Sequence, residues 1–481
     1  MMTLKWCNRR ESRANLIRQS LELYMPTSLI SFPSRVGFVT AVAAGCLFSS
    51  YRTLEAQNTA PAPMTLGGAA RMAAERSAGT AAARERSLQA DARVSQSRAA
   101  LLPNLSTTAQ YGTRSYNTAS LGFDIPAGSP IPINPDGEVQ GPVRSIDVRA
   151  KVTQTLVNIP DVLSWRATAT DADAAHYEAD DAADNAAERG ATAYLAVLRA
   201  EARIAARQAD SSLAAELLDI AKQQVAAGVG ISLDVTRAES QLADAKAKLI
   251  ATRGERDRAM LQLRHELSLA DAAPLVIGDS LRAPSDGDRM GREEDIMQNA
   301  LQHRADFKAA RSSLDGARMH ARAAAAERLP SVALYADHGS NGKETDRMLG
   351  TYSYGLQVSL PIFDGMHLES KKAEERARQR EAEVTAVDTK RQVETDVRQA
   401  MISVSSAREE VAAAQARLVL AEQEVNQARE RFRQGVSGNA DVITASMTLN
   451  AARDQVIDAR TSYHQARVAL ASAQGMTAMI Q

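Results

Sequence analysis

The chain has 481 residues and a net charge of −1, with 24% charged and only 4% aromatic residues. That balance excludes the basic footprint of a nucleic-acid binder, and the shortage of aromatics argues for long helices packed through small side chains rather than a thick aromatic core. Both cysteines, Cys7 and Cys46, fall in the first tenth of the chain, so the main body has no disulfide framework and no zinc-ligand spacing.

Residues 1–60 read as a leader and linker. Arg35 precedes a mostly apolar, uncharged run over 36–50 that is too short to span a bilayer, which is the pattern of an export signal. Met25 is a more natural start for such a signal than Met1. Ala43-Ala44-Gly45-Cys46 resembles a bacterial lipobox, with Ala43 where leucine is expected, so Cys46 is a candidate for lipidation. Ordinary cleavage near 56–60 is the alternative. A loose Pro/Ala linker follows over 53–66, then a helical region from Met64 to Leu102 that Leu102-Pro103 ends, because proline cannot continue a helix.

Two strands come next. Leu105, Thr107, Ala109 and Tyr111 alternate with Ser106, Thr108, Gln110 and Gly112, and Ile146, Val148, Ala150 and Val152 alternate with Asp147, Arg149, Lys151 and Thr153. A Pro/Gly-rich loop over 116–143 separates them. A long helix over 161–227, roughly 100 Å at about 1.5 Å per residue, ends at Ala227-Gly228-Val229-Gly230-Ile231-Ser232-Leu233-Asp234-Val235, and a second helix returns.

The second half repeats the plan. Leu329-Pro330 stands where Leu102-Pro103 stood, Val332, Leu334 and Ala336 open a third strand, and residues 352–362 alternate as the clearest strand in the chain. The turn Gln434-Gly435-Val436-Ser437-Gly438-Asn439-Ala440-Asp441-Val442 matches the first turn 207 residues earlier. Before it Val404, Val411, Leu418, Val425 and Phe432 recur every seventh residue, answering to Val197, Ile204, Leu218 and Val225 with Ser211 as a polar break. After it Val442, Leu449, Val456, Tyr463 and Leu470 answer to Val235, Leu242, Leu249, Arg256 and Leu263. A seven-residue apolar repeat drifts around a straight helix, so partners must supercoil to bury it. The chain is thus a tandem duplication of a coiled-coil hairpin. Its expected divisions are 1–60, a first repeat over 61–270 with a tip near 228–232, a connector over 271–306 packed beside the coiled coil, a second repeat over 307–476 with a tip near 435–439, and a tail over 477–481.

After the leader the sequence offers no apolar run long enough for a membrane helix, so any membrane entry must be by strands. Strands of about ten residues, apolar on one face with Tyr111, Tyr352 and Tyr354 at the boundary, suit a transmembrane barrel; a soluble half-buried sheet has the same pattern. Four strands fall short of the roughly eight needed to close a barrel, so several chains would have to contribute.

On these features the sequence resembles the TolC-like outer membrane factors, the exit ducts of bacterial tripartite efflux and type I secretion systems. The resemblance covers about residues 64–476. It rests on the duplication, on Ala99-Ala100-Leu101-Leu102-Pro103 and Arg328-Leu329-Pro330 entering strands, on Leu360-Pro361-Ile362-Phe363-Asp364-Gly365 leaving one, and on the two Gly-x(5)-Asp-Val tips. His303-Arg304-Ala305-Asp306-Phe307 looks like the family's Arg-Pro-Asp-Leu element, with Ala305 replacing proline.

The resemblance implies a homotrimer in outer membrane lipid, with a twelve-strand β-barrel, four strands per chain, continued by a long α-helical barrel across the periplasm. It implies tips at Gly228, Val229, Gly435 and Val436 that dock a periplasmic adaptor (membrane fusion) protein, which links them to an inner-membrane RND pump or ABC transporter. The bland alternative is that these glycines only turn the chain. Asp441 matches a position whose carboxylates ring the pore entrance; a helix-capping role like that of its twin Asp234 is the alternative. The family's latch tyrosine and arginine correspond to Phe432 and Ser437, which cannot make the same bonds to Asp234, so a weaker or differently built latch is expected.

No histidine stands in a metal-ligand or base–nucleophile spacing, so neither catalysis nor a cofactor is expected. The main rival function is a periplasmic coiled-coil scaffold without a pore. Cargo, whether small molecules or secreted proteins, is open.

Overall fold

The computed structural model describes residues 63–117, 138–270, 275–285 and 290–480. Cys7, Cys46 and the expected leader lie outside the described residues, as do most of the 116–143 loop and parts of the connector.

Helices α1 (Leu66–Arg76) and α2 (Ala78–Ala99) lead into strands β1 (Asn104–Asn117) and β2 (Val139–Val157). Helix α3 (Ile159–Ala226) and helix α4 (Ser232–Glu266) form the first hairpin. After the connector, α5 (Glu293–His303) and α6 (Ala305–Ala326) precede β3 (Ser331–Gly342) and β4 (Leu349–Ser359). The second hairpin is α7 (His367–Arg433) and α8 (Asn439–Ala473), and a short 3-10 turn, Thr477–Met479, follows.

Several expectations need correction. The helical region before Pro103 breaks at Ser77, whose hydroxyl caps α2 by accepting from the Thr80 N–H at 3.1 Å. Met64 is no loose linker, since its N–H and C=O pair with Val276 and Gly278 of the connector, both at 2.8 Å. β1 and β2 reach into the expected loop, because each strand supplies the other with backbone partners as far as Asn117 and Val139. β4 begins at Leu349 and stops at Ser359, leaving Leu360-Pro361-Ile362 beyond it; proline has no N–H to extend the ladder.

The strands form one antiparallel sheet in the order β1-β2-β3-β4. Its register sorts side chains cleanly. One row across the sheet is Leu105, Val152, Ala336 and Tyr354; the next is Ser106, Lys151, Asp337 and Ser353. Leu105, Tyr111, Val148, Tyr352, Tyr354, Leu356 and Val358 on the apolar face are all exposed. On the other face the Arg149 guanidinium pairs with Asp337 and reaches Asp147 at 3.4 Å, and Asp337 in turn accepts from Ser353. Covering the apolar face of a water-exposed sheet is normally the task of a second layer. Here no described element does it. Among the described residues no helix is long and apolar enough to cross a membrane.

The core is narrow and runs along the hairpins. In the second hairpin Val404, Val411, Val425 and Phe432 are buried, and so are Ala400, Ala407, Ala414 and Ala421; α8 answers with Val442, Leu449, Val456 and Tyr463 beside Ala445, Ala452, Ala459 and Ala466. A large row beside an alanine row lets two helices approach closely while filling the seam. Each buried valine contributes about 1.5–3 kcal/mol. In the first hairpin α4 buries Ala238, Ala245 and Thr252 and α3 buries Ala214, Leu217 and Ala221, while Val225, expected in the seam, is exposed at the last turn of α3. Helix α5 packs on α7 through Ile296, Ala300, Val393 and Val397.

Candidate functional site: the paired hairpin tips

The two tips are built alike. Gly228 and Gly435 take φ values of 74° and 70°, a left-handed conformation costly for residues with a Cβ. It lets the Val229 and Gly228 N–H groups reach Gln224 and Val225 carbonyls, both at 3.0 Å; in the second tip Val436 and Gly435 reach Arg431 and Phe432 at 2.9 and 3.0 Å. These bonds satisfy carbonyls that a helix end leaves orphaned. The apolar residues just past them find no cover among the described residues: Val229 is 77% and Val436 66% exposed, and Ile231 and Leu233 are exposed beside Val229.

The tips are also joined to each other. Asn439 is fully buried and donates from Nδ2 to the Asp234 carbonyl at 2.9 Å. Gln224 donates from Nε2 to the Phe432 carbonyl at 2.5 Å. One amide comes from each hairpin, so the two staples are reciprocal. Phe432 and Val442 surround them with Leu217, Ile220, Ala221 and Ala238 in a buried apolar cluster, where each such hydrogen bond contributes about 0.5–1.5 kcal/mol. Two turns further along α3, Glu216 accepts from Arg429 and Arg433, each at 3.2 Å. Those pairs are partly exposed and contribute less, about 0–1 kcal/mol each.

Asp441 is exposed in the first turn of α8, where the helix dipole favours a carboxylate. It is not the cap: Gly438 holds that position, as Ile231 does before Asp234, and no side chain caps either helix. Asp234 lies 3.7 Å from Arg237 through its carboxylate, and its backbone carbonyl accepts the hydrogen bond from the second hairpin. Phe432 is core rather than a polar latch, and the Ser437 hydroxyl has no hydrogen-bond partner among the described residues.

A family model for outer membrane efflux proteins matches residues 69–267 and 296–476, which take in both hairpins and all four strands. The chain belongs to the outer membrane efflux protein family. The alkaline protease secretion protein AprF of Pseudomonas aeruginosa is 25% identical over 279 residues, 56% of this chain and 57% of AprF. The fusaric acid resistance protein FusA of Burkholderia cepacia is 29% identical over 163 residues, 32% of this chain and 30% of FusA. The chain thus spans little more than half of the one relative and under a third of the other. Among solved structures, the outer membrane protein VceC of Vibrio cholerae superposes with a TM-score of 0.70 at 18% identity, covering 85% of this chain and 96% of VceC. That likeness is one of fold, and the fold is that of a TolC-like channel: helical barrel and β domain.

For this efflux-family chain the sequence singled out the turn glycines and the exposed valines, which the structure places at the extremities of the two hairpins. It missed Asn439, Gln224 and Glu216. Asn439 carried one usable signal, since asparagine at a helix start reads as a capping residue, but nothing in the sequence pointed it at Asp234.

Proposed function

We propose that the chain forms, with two further copies of itself, a passive exit duct whose barrel lies in the outer membrane and whose helices cross the periplasm. One observation carries this reading: a four-stranded sheet with an uncovered apolar face runs directly into helices of about 100 Å that end in two stapled tips. Each chain leaves β1 and β4 as open edges, which lipid does not tolerate. Three copies would bring twelve strands, enough to close and to seat the apolar face in lipid. Membership of an outer membrane family supports the location.

In this reading the exposed Val229 and Val436, on glycine turns that admit a close backbone approach, dock a periplasmic adaptor. An inner-membrane RND pump or ABC transporter supplies the energy, and the duct has no catalytic role or cofactor. The Asn439 and Gln224 staples hold the entrance closed, and separating the hairpins opens it. Three symmetry-related Asp441 carboxylates would make that entrance attract cations. AprF and FusA support protein secretion and small-molecule efflux respectively as cargo classes.

Extraction tests the duct. A barrel stays with the membrane through carbonate washing and needs detergent, whereas a coiled-coil scaffold washes off. The supernatant of a deletion strain then separates the cargoes: loss of one large secreted protein means type I secretion, and an unchanged profile with greater dye accumulation means efflux.

A further inference from the structure

The seam between α3 and α8 carries a second set of links, about 30 Å from the tips at 1.5 Å per residue. Arg199, Arg203 and Arg207 stand at four-residue spacing on α3, as Asp454 and Asp458 do on α8. Asp458 accepts from Arg199 at 2.9 Å and from Arg203 at 3.1 Å. Arg207 pairs with Asp454 and, at 3.0 Å, with Asp210. Arg453 closes the set on the other oxygen of Asp210 at 2.6 Å. The Asp210 side chain is only 3% exposed, so this is a partly buried ionic seam beside Ser211, the polar break in the apolar repeat.

Ion pairs taken out of water add little net cohesion, because desolvation offsets their attraction, yet removing one partner leaves a costly unpaired charge. Such a seam dictates spacing and register more than it glues. It is also no by-product of the duplication. The positions 207 residues after Arg207 and Asp210 hold Ala414 and Arg417, and those 207 residues before Asp454 and Asp458 hold Ala247 and Ala251. A closed ring of duplicated chains has two kinds of hairpin–hairpin seam, one within a chain and one between chains. The within-chain seam carries this set.

We propose that Arg207, Asp210, Arg453 and Asp454 are positioning residues of the gate. They form an ionic clasp that fixes the distance between the two hairpins of a chain, so that release of the tip staples opens the duct only below it. The proposal rests on the duct reading above.

The full-length protein in planar bilayers tests it. Arg207→Asp and Asp454→Arg each set like charges across the seam, and each is expected to raise closed-state conductance several-fold. The double exchange restores opposite charges and is expected to return conductance to near the parent level, a rescue that loss of packing would not show. Asp454→Asn, a neutral change at a partly exposed carboxylate of the clasp, is expected to keep the fold and to give a smaller rise, so a charge-reversed chain that fails to assemble does not decide the matter. The clasp is overturned if assembled variants with single reversals, or Asp454→Asn, conduct like the parent, or if the double exchange leaks as much as the single reversals. Failure of every variant and of the parent to insert and conduct would overturn the duct reading instead.

Discussion

Asn439 on one hairpin and Asp234 on the other are 205 residues apart in sequence and joined by one hydrogen bond of 2.9 Å. Asp234 is the first-repeat counterpart of Asp441, so the staple ties the second hairpin's tip to the equivalent point of the first. Asn439→Ala removes the donor and empties a fully buried site at the tip, and the lost hydrogen bond costs about 0.5–1.5 kcal/mol. Closed-state conductance is expected to rise several-fold, while global thermal unfolding shifts by no more than a few degrees. Conductance equal to the parent's would show that this bond does not hold the entrance.

Gly435 separates turning from docking. Asparagine tolerates the left-handed conformation better than other side chains, and nothing lies within 4 Å of a Cβ built there. Gly435→Asn is therefore expected to keep the fold while its side chain obstructs a partner's approach. Adaptor affinity should fall about tenfold, roughly 1.4 kcal/mol, at an almost unchanged melting temperature. A matched loss of both would mean that the glycine only turns the chain.

Asp441 is exposed and free of a capping role, so its charge is available to a passing ion. Asp441→Ala is expected to lower the preference for cations over anions in bilayer reversal-potential measurements, with little effect on stability. Unchanged selectivity would remove Asp441 from the entrance.

Mild acid should tighten the region where α3 meets α6 and α7. Asp184 lines a cavity of about 400 Å³ with Asp181, Glu188, Arg304, Asp306 and Asp396. Burial first, then Asp181 and Asp180, push its carboxyl up to about 6. The hydrogen bond between His320 and Asp171, at 2.7 Å, likewise raises the His320 imidazole. A group whose folded pKa exceeds its unfolded value contributes stability that is full below the unfolded pKa and lost as pH rises through the folded one. For Asp184 the window runs from about pH 4 to 6, and partial exposure holds the effect to about 1–2 kcal/mol. The melting temperature should therefore rise by a degree or more between pH 7.5 and 5.5, and Asp184→Asn should flatten that rise. A melting temperature that falls over the same range would contradict the assignment.

Much of this architecture could be read from local pattern. Seven-residue spacing from Val404 to Phe432 marks a seam because helix geometry returns each seventh residue to one face, and period-two alternation from Tyr352 to Val358 marks a strand for the matching reason. The turn glycines stood out because only a few residues accept a left-handed backbone. Duplication made each of these signals twice as visible. Strand ends were less legible: β1 and β2 extend into a Pro/Gly-rich stretch because their hydrogen-bond partners lie on each other, which neither strand's own composition records.

The sequence by itself determined the hairpins, the sheet's two-faced character and the position of the tips, since each follows from periodicity and backbone preference within a short stretch. Tertiary structure alone decided that Asn439 and Gln224 are the staples, and that Arg207 meets Asp454. A heptad says which face of a helix is buried but not which residue of another helix lies opposite. That choice depends on how two long helices slide and rotate against each other, and it is settled by packing summed along the whole seam.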